Sequence, residues 1–429
     1  MSPTIDHTDI VIIGGGIAGV AAAIAAAQAG RRKVVLVEKA PYLGGKATAA
    51  EVGTICGLYQ YDHRAQPRFM VHGFARFFAE QLQSVSETQP LINEYHLAYL
   101  PYQVAHFKIL CSQLLQQAGV TVLQWATVVG ITEQNHIIKQ VQVQTAGSLL
   151  HYHTQAVADC SGESIAARFL SLPLIESDNY QAAAQVFTLS GISETNETRL
   201  SFIILKAIGK AIYDKTVPDY FDRIYLIPGS LHNGIAAFKI GIPVPVTFGA
   251  GNLQQLHQTA LQFITRLVEF LRDAVTACQH IKLEHIADEI GIRTGVRTLG
   301  KYVLESNDIL ACNHFNDAIA NGSWPIEIWQ QNKRVAMQYF PKDSYYQIPA
   351  RCLQSAHIPN LFVGGRCISA TDEAIASARV MGICLQTGYA AGLLALGHVQ
   401  NTVPELSIQR LQKQQLKTVF SQYEEVPGI

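Results

Sequence analysis

The chain has 429 residues, a formal net charge of −1 and 15% charged residues. A polyanion partner demands a basic excess, so this balance argues against nucleic-acid binding. Hydrophobic residues make up 48%, enough for two domains or one elaborated one. The cysteines, Cys56, Cys111, Cys160, Cys278, Cys312, Cys352, Cys367 and Cys384, form no C-x-x-C pair and no metal-ligand spacing. They read as reduced apolar fillers of a cytoplasmic protein, and no metal is expected.

In chain order, the polar start Met1–Asp9 lacks the basic region of a signal peptide. Ile10–Gly30 is apolar and near membrane-spanning length, but Gly14, Gly15, Gly16 and Gly19 interrupt it. The reading is a strand over Ile10–Ile13, a turn, and a helix over Ile17–Ala29 ending at Gly30; no membrane span is expected. A second buried strand, Val34–Val37, completes a βαβ unit. Phe74–Gln83 and Phe107–Ala118 have helical periodicity, with Gly119 a stop after the second. Val120–Leu123 reads as a strand, Thr127–Tyr152 as an antiparallel β meander, and Ala156–Asp159 as a further short strand. Tyr180–Gly251 mixes strands, a helix and proline turns. A long helix, Leu253–Thr276, follows. Ile348–Leu396 returns to strand, glycine turn and long helix, and the tail after His398 reads as helix and loose end.

The first glycine run has the form G-x-G-x-x-G between strand and helix. Gly14 allows the tight turn, Gly16 lets the backbone approach a pyrophosphate, and Gly19 lets helix and strand pack closely. The helix start at Ile17-Ala18 offers free N–H groups to the anion. Glu38 ends the next strand, where a carboxylate holds a ribose diol and repels a 2′-phosphate. A second turn, Leu43-Gly44-Gly45-Lys46-Ala47-Thr48, suits a ligand longer than NAD. Near the far end, Asn360–Gly382 has another strand, Leu361–Val363, running into Gly364-Gly365-Arg366.

These features resemble the FAD-dependent oxidoreductases of the glutathione-reductase-like flavoprotein superfamily, fumarate-reductase-like branch. The resemblance is carried by both glycine turns and four later blocks: Val157–Glu163; Gly291–Arg297 with Gly300-Lys301-Tyr302; Trp324–Ile328; and Asn360–Gly382. It implies an α/β fold: a Rossmann-like FAD-binding domain with a β meander, plus an α+β substrate or cap domain. The implied boundaries are 1–172 for the first part of the FAD-binding domain, 173–345 for the cap, 346–400 for the return, and 401–429 for a tail. FAD would be held by Gly14, Gly16, Ile17, Ala18, Gly19, Glu38 and Lys39 at the adenosine and pyrophosphate end. Gly45, Lys46, Ala47 and Thr48 would follow along the pyrophosphate. Val128, Ser161, Gly162, Gly365, Arg366, Arg379, Val380 and Met381 would complete the set, the last two opening a helix aimed at the flavin pyrimidine edge. This sequence departs from the family pattern at Asp372, usually His, at Gly382, often Pro, and at Lys301, usually acidic.

The resemblance implies hydride transfer from a small-molecule substrate to flavin N5, with an unknown second electron acceptor. Candidate catalytic residues are Asp372, Arg293, Arg379, Cys56 and His72. Arg293, Arg297 and Arg379 suit an anionic substrate or the flavin, and equally suit internal ion pairs. Cys56 lies in a loop expected near the reactive face, as a redox thiol or a filler. His72 is a base, a covalent flavin tether or a helix cap. Two other readings are open: a flavin monooxygenase using NAD(P)H and oxygen, and a non-catalytic FAD-binding module.

Overall fold

The computed structural model describes residues 4–28, 32–177, 180–247, 251–330 and 335–402. Strand β1 (Thr4–Ile13) leads through Gly14–Gly16 into helix α1 (Ile17–Ala27), and β2 (Val34–Val37) and α2 (Lys46–Ala49) follow. Helices α3 (Gly73–Ser86) and α4 (Val104–Gln117) pack beneath them, and β3 (Thr121–Leu123) joins the edge. The meander is β4 (Thr127–Gln134), β5 (Ile137–Gln144) and β6 (Leu149–Asp159). In the sheet β3, β2, β1 and β6 lie side by side and parallel.

β6 explains the sheet's mixed character. Its first half, Leu149–His153, pairs antiparallel with β5. Its last residues, Val157–Asp159, pair parallel with a strand from far along the chain, Leu361–Val363. The meander and the returning strand therefore share one edge of β6, end to end. Ala156–Asp159, read above as a separate short strand, is the continuation of the meander's third strand. Its other edge stays paired to β1 from Thr4↔Leu150 to Ile13↔Asp159, which also explains why β1 extends back to Thr4 rather than starting at Ile10. The meander turn is made by Asn135 and His136, both at positive φ.

Residues 184–286 build a second sheet. β7 (Ala184–Ser190) lies between β9 (Ala236–Gly241) and β10 (Lys282–Ile286), and β8 (Ile224–Leu226) borders β9. Helices α5 (Glu197–Tyr213) and α6 (Asn252–Ala274) cover one face. α6 buries Leu256, Ala260, Phe263, Ile264, Leu267, Val268 and Leu271, a three-and-four spacing that presents one apolar stripe. These side chains share a core with Phe187, Phe238 and Ile240 from the strands.

The chain then returns through β11 (Leu361–Val363) to α7 (Asp372–Ala378) and α8 (Met381–Val399). α8 runs parallel to α1, with Gly388 against Ala18 and Gly392 against Ala22. A β-carbon on Gly388 would lie 2.1 Å from the Ala18 carbonyl oxygen, and one on Gly392 2.1 Å from that of Ala22. Glycine at these positions lets the two backbones touch. This register sets the stagger of the helix starts: α8 begins about 9 Å beyond α1, at 1.5 Å per residue.

The predicted helix end at Ala29–Gly30 and the tail from residue 403 lie outside the described residues. Among the described residues no single helix is long and apolar enough to cross a membrane; α7 and α8 reach that length only as a pair bent by 96°. Gly392→Leu is expected to lower unfolding stability by about 3 kcal/mol, since overpacking here meets backbone. Urea unfolding of the variant beside the parent measures it.

Candidate active site

A groove opens where β1, β2 and β6 end and α1 begins. Gly14 has φ 93°, and a side chain on it would lie 2.7 Å from the Ser161 Cα. The third glycine packs: a β-carbon on Gly19 would sit 1.8 Å from the Gly14 carbonyl oxygen. Gly16 differs, because the nearest atom to a β-carbon there is the Gly45 Cα at 3.9 Å. Its absent side chain leaves open groove. Gly16 caps α1 without any side-chain bond, and the first turn holds no acid, so its N–H groups face the groove.

The second glycine turn is clasped to the first. Gly44 N–H donates to the Gly15 carbonyl at 2.9 Å. Gly45 has φ 55°, a backbone favouring glycine, and a β-carbon there would lie 2.8 Å from the Gly16 Cα. Thr48 is buried and does not line the groove; its hydroxyl donates to the carbonyls of Leu43 at 2.7 Å and Gly45 at 3.1 Å, holding the turn shut. Lys46 donates to Glu289, which also lines the groove, at 2.6 Å and to the Ile290 carbonyl at 3.0 Å.

Glu38 is buried at the end of β2. Its carboxylate accepts the Gly15 N–H at 2.6 Å and the Ala40 N–H at 2.7 Å. Burial pushes its pKa up, and these two N–H donors pull it back. A carboxylate has about four lone-pair sites, so a diol can still donate to it. Asp159, at the end of β6, is fully buried and organises the opposite wall. It accepts from the Ala166 N–H at 2.7 Å, and from the Ser161 N–H and hydroxyl at 3.0 and 2.6 Å.

The groove encloses about 840 Å³, part of it open to solvent. Gly14, Gly16, Ile17, Ala18, Glu38, Lys39, Gly45, Lys46, Ala47, Ser161, Gly162, Gly365, Arg366, Arg379 and Met381 all line it. Val128 lines a smaller cavity beside it that shares Gly14, Glu38, Lys39, Ser161 and Glu163. Gly365 has φ 62° and leaves no room for a side chain over Ala18, with 2.8 Å to its Cβ. The Asn360–Gly382 stretch thus closes over the same groove that the first turn opens. Cys160 and Glu163, both within the Val157–Glu163 block, also line it, as does Cys384, which carried no sequence signal.

A second chamber of about 960 Å³, part of it open to solvent, adjoins the groove and shares Lys46, Ala47, Arg366, Arg379 and Met381 with it. One wall comes from α2 and the start of α8; the other comes from Ala184 and Val186 of β7, Lys239 of β9, and Trp329. Arg293 lies over the Trp329 ring, 3.9 Å from its centroid, and donates to the Ala182 carbonyl. Glu327 accepts from the indoles of Trp324 at 3.0 Å and Trp329 at 2.9 Å. Arg379 donates to Gln181 and to the Glu327 carbonyl, both at 3.2 Å. Cys56 lines the chamber, but burial pushes its thiol up to about 12, so it is a thiol rather than a thiolate. All eight cysteines are free. Lys239, Glu327 and Trp329 were missed as site residues. Glu327 lies within the Trp324–Ile328 block, and Lys239 is visible only as the one charge in a strand otherwise of small and apolar residues.

Two expected catalytic residues lie elsewhere. Asp372 lines neither cavity. It sits in the first turn of α7 and pairs with Arg297 at 2.5 Å and with the Ser177 hydroxyl. Arg297 is fully buried, so Asp372 is its countercharge. His72 also lines neither cavity; it is exposed at the start of α3 and its side chain makes no capping bond, which argues against a flavin tether. The other departures have local reasons. A side chain on Gly382 would lie 2.5 Å from the Gly57 carbonyl, which leaves no space for proline. Lys301 donates to Gln354 at 2.9 Å.

The glycine turn, the uncapped helix start and the buried Glu38 together define a dinucleotide-binding protein of Rossmann type. The chain belongs to the FAD dependent oxidoreductase family, whose model matches residues 9–415. It is therefore an enzyme, and its cofactor is FAD. Comparison with curated proteins gives no match. Among solved structures it is similar to a geranylgeranyl bacteriochlorophyll reductase-like protein from Thermoplasma acidophilum, at 14% identity and TM-score 0.47, over 95% of this chain and 83% of that one. It is also similar to a p-nitrophenol 4-monooxygenase from Pseudomonas putida, at 11% identity and TM-score 0.44, over 98% and 87%. A myxobacterial FAD-dependent chondrochloren halogenase is similar at 11% and 0.44, over 98% and 82%. The residues present fit the cofactor: the open space at Gly16, the free N–H groups of α1 and the buried carboxylate at Glu38 form a cradle.

Gly16→Val is tolerated sterically and fills the cradle, so it is expected to weaken FAD binding about a hundredfold, roughly 2.7 kcal/mol, with folding intact. FAD fluorescence titration and a thermal melt separate the two effects. Asp372→Ala strands a buried guanidinium and is expected to cost about 2 kcal/mol or more, with Arg297→Met in the same chain restoring part of it. Denaturant curves of the single and double variants measure this.

Proposed function

We propose that this enzyme is a dehydrogenase or oxidase of a small-molecule substrate held in the chamber between the groove and the second sheet. The single observation behind this is continuity: the chamber and the FAD groove share a wall at Lys46, Ala47, Arg366, Arg379 and Met381. FAD, when bound, supplies the hydride acceptor. The chain's own residues bind, orient and dry the site. Ala47, Ala50, Val186 and Val380 give the chamber buried apolar lining that limits water. The start of α8, capped by no side chain at Val380, turns a positive helix end toward the shared wall. Arg379 adds positive charge there and Arg293 adds it deeper in the chamber, while Glu327 is held by the indoles. Asp372 and His72, which line neither cavity, are not proposed as catalytic.

The order of sequence blocks supports the finer placement in the fumarate-reductase-like branch. It also supports a division into an FAD-binding part, 1–172 with 346–400, and a cap over 173–345. The free cysteines suit a cytoplasmic setting. A second acceptor must take up the electrons. The purified protein is expected to be yellow and to accept electrons slowly, at most, from NADH or NADPH in anaerobic stopped-flow mixing. Rapid reduction by a pyridine nucleotide favours a monooxygenase instead. A colourless protein that fails to bind added FAD sinks the enzymatic reading altogether.

A further inference from the structure

We propose that Lys239, reaching into the chamber from β9, is the residue that selects the substrate, and that it does so by pairing with a small organic carboxylate attached to an apolar body. The inference rests on the reading of the chamber as the substrate site.

Cations in the chamber outnumber carboxylates, and their partners differ. Lys46 is paired with Glu289 at 2.6 Å. Arg366 donates to the Ile292 carbonyl at 3.0 Å. Arg379 and Arg293 have the partners given above. No hydrogen bond or ion pair joins the Lys239 side chain to any described residue, while its backbone is held in the sheet between Val186 and Tyr225. Its ammonium lies 4.4 Å from the centroid of the Trp329 ring and 5.5 Å from that of Tyr225. Glu327, the only carboxylate among the residues lining the chamber, directs its oxygens to the two indoles.

Lys239 is half-buried, and Glu327 attracts it without a direct ion pair; a partly desolvated ammonium with no bonded counterion is costly, and an anionic ligand offsets that cost. Cation–π contact with the rings offsets part of it and fixes the amine's position. Lys239 and Arg293 line the chamber but not the FAD groove, whereas Lys46, Arg366 and Arg379 line both. The first two are therefore placed for the substrate rather than the cofactor. The apolar part of the remaining lining, Ala50, Val52, Ala184, Val186 and Ile292, suits an apolar body behind the charged group. A ligand with one negative charge matches the one amine that has no partner.

The same surroundings make recognition dependent on pH. Burial first, then Arg293, pushes the Lys239 ammonium down to about 8; Glu327 and Cys56 act in the opposite direction, and Arg379 adds to the fall. Tyr225 is a further titratable group against it among the described residues. The charged amine is present below that value and is lost as pH rises through it, so carboxylate binding weakens above about pH 8.

The test uses the FAD-loaded protein, with benzoate as probe and benzamide as its neutral isostere, followed by calorimetry and by the flavin difference spectrum. Benzoate is expected to bind at least tenfold tighter than benzamide. Lys239→Met removes that preference while leaving FAD content and benzamide binding unchanged. Lys239→Arg keeps benzoate binding and abolishes its decline above neutral pH. The proposal is overturned if benzoate binds no tighter than benzamide, or if Lys239→Met weakens both equally. It is overturned, too, if Lys239→Met releases FAD, or if inorganic phosphate displaces benzoate at equal concentration. If the parent protein itself holds no FAD, the functional reading fails instead, and benzoate calorimetry on that protein still decides the role of Lys239.

Discussion

The backbone contact between α1 and α8 is the constraint on which the site depends. Gly388 and Gly392 let α8 lie directly on Ala18 and Ala22. Two parallel helices in that register cannot slide without driving carbonyl oxygens into side chains or leaving a void, so their starts are fixed relative to each other. One helix end serves the glycine turn at Gly14–Gly16, and the other lies about two turns further along the same line. A long ligand laid across both meets positive helix ends at separate points along its length, with neutral small-residue surface between them. The adjoining Gly365, Gly45 and Gly16 keep side chains out of that path.

The two walls of the chamber have different electrostatic duties. On the groove side most charges already have a protein partner: Lys46 with Glu289, Arg366 with a carbonyl, Glu38 with backbone N–H groups. That wall is preorganised before any ligand arrives. On the side of the second sheet, Lys239 and Arg293 rest on aromatic rings, and only Arg293 has a hydrogen-bond acceptor. A surface that tolerates an unpaired cation by leaning it on indole and phenol rings is ready to exchange that weak partner for a stronger one. The second sheet thus differs from the first in what it leaves unsatisfied.

Features that follow from the backbone alone were legible in the sequence. The strand, glycine turn and small-residue helix at the start, the acid at Glu38, and the final helix beginning at Met381 each follow from local steric and dipolar rules. Extents were less legible. β6 runs as one strand because β1 pairs along its whole length while β5 and β11 divide its other edge, and no short window of sequence contains that information. Asp372 was misread because it stood in a matching block at a position of interest; its partner, Arg297, is brought to it by the fold. Lys239 was overlooked for a related reason. Strand alternation tells which residues share a face, but not that β9's face forms a wall against a groove built by residues 14–49.

The seating of α8 on α1 also has a bearing on the order of events during synthesis. The first glycine turn, α1 and Glu38 are made early, yet the surface that closes over them comes from residues 365–392, after the whole second sheet has been made. Until that late helix docks, the alanine face of α1 has no cover and the cradle has only one side. Cofactor capture is therefore coupled to synthesis and docking of α8 rather than to folding of the first βαβ unit. A free flavin nucleotide meeting the nascent protein would act as a clamp that retains α8 once it arrives.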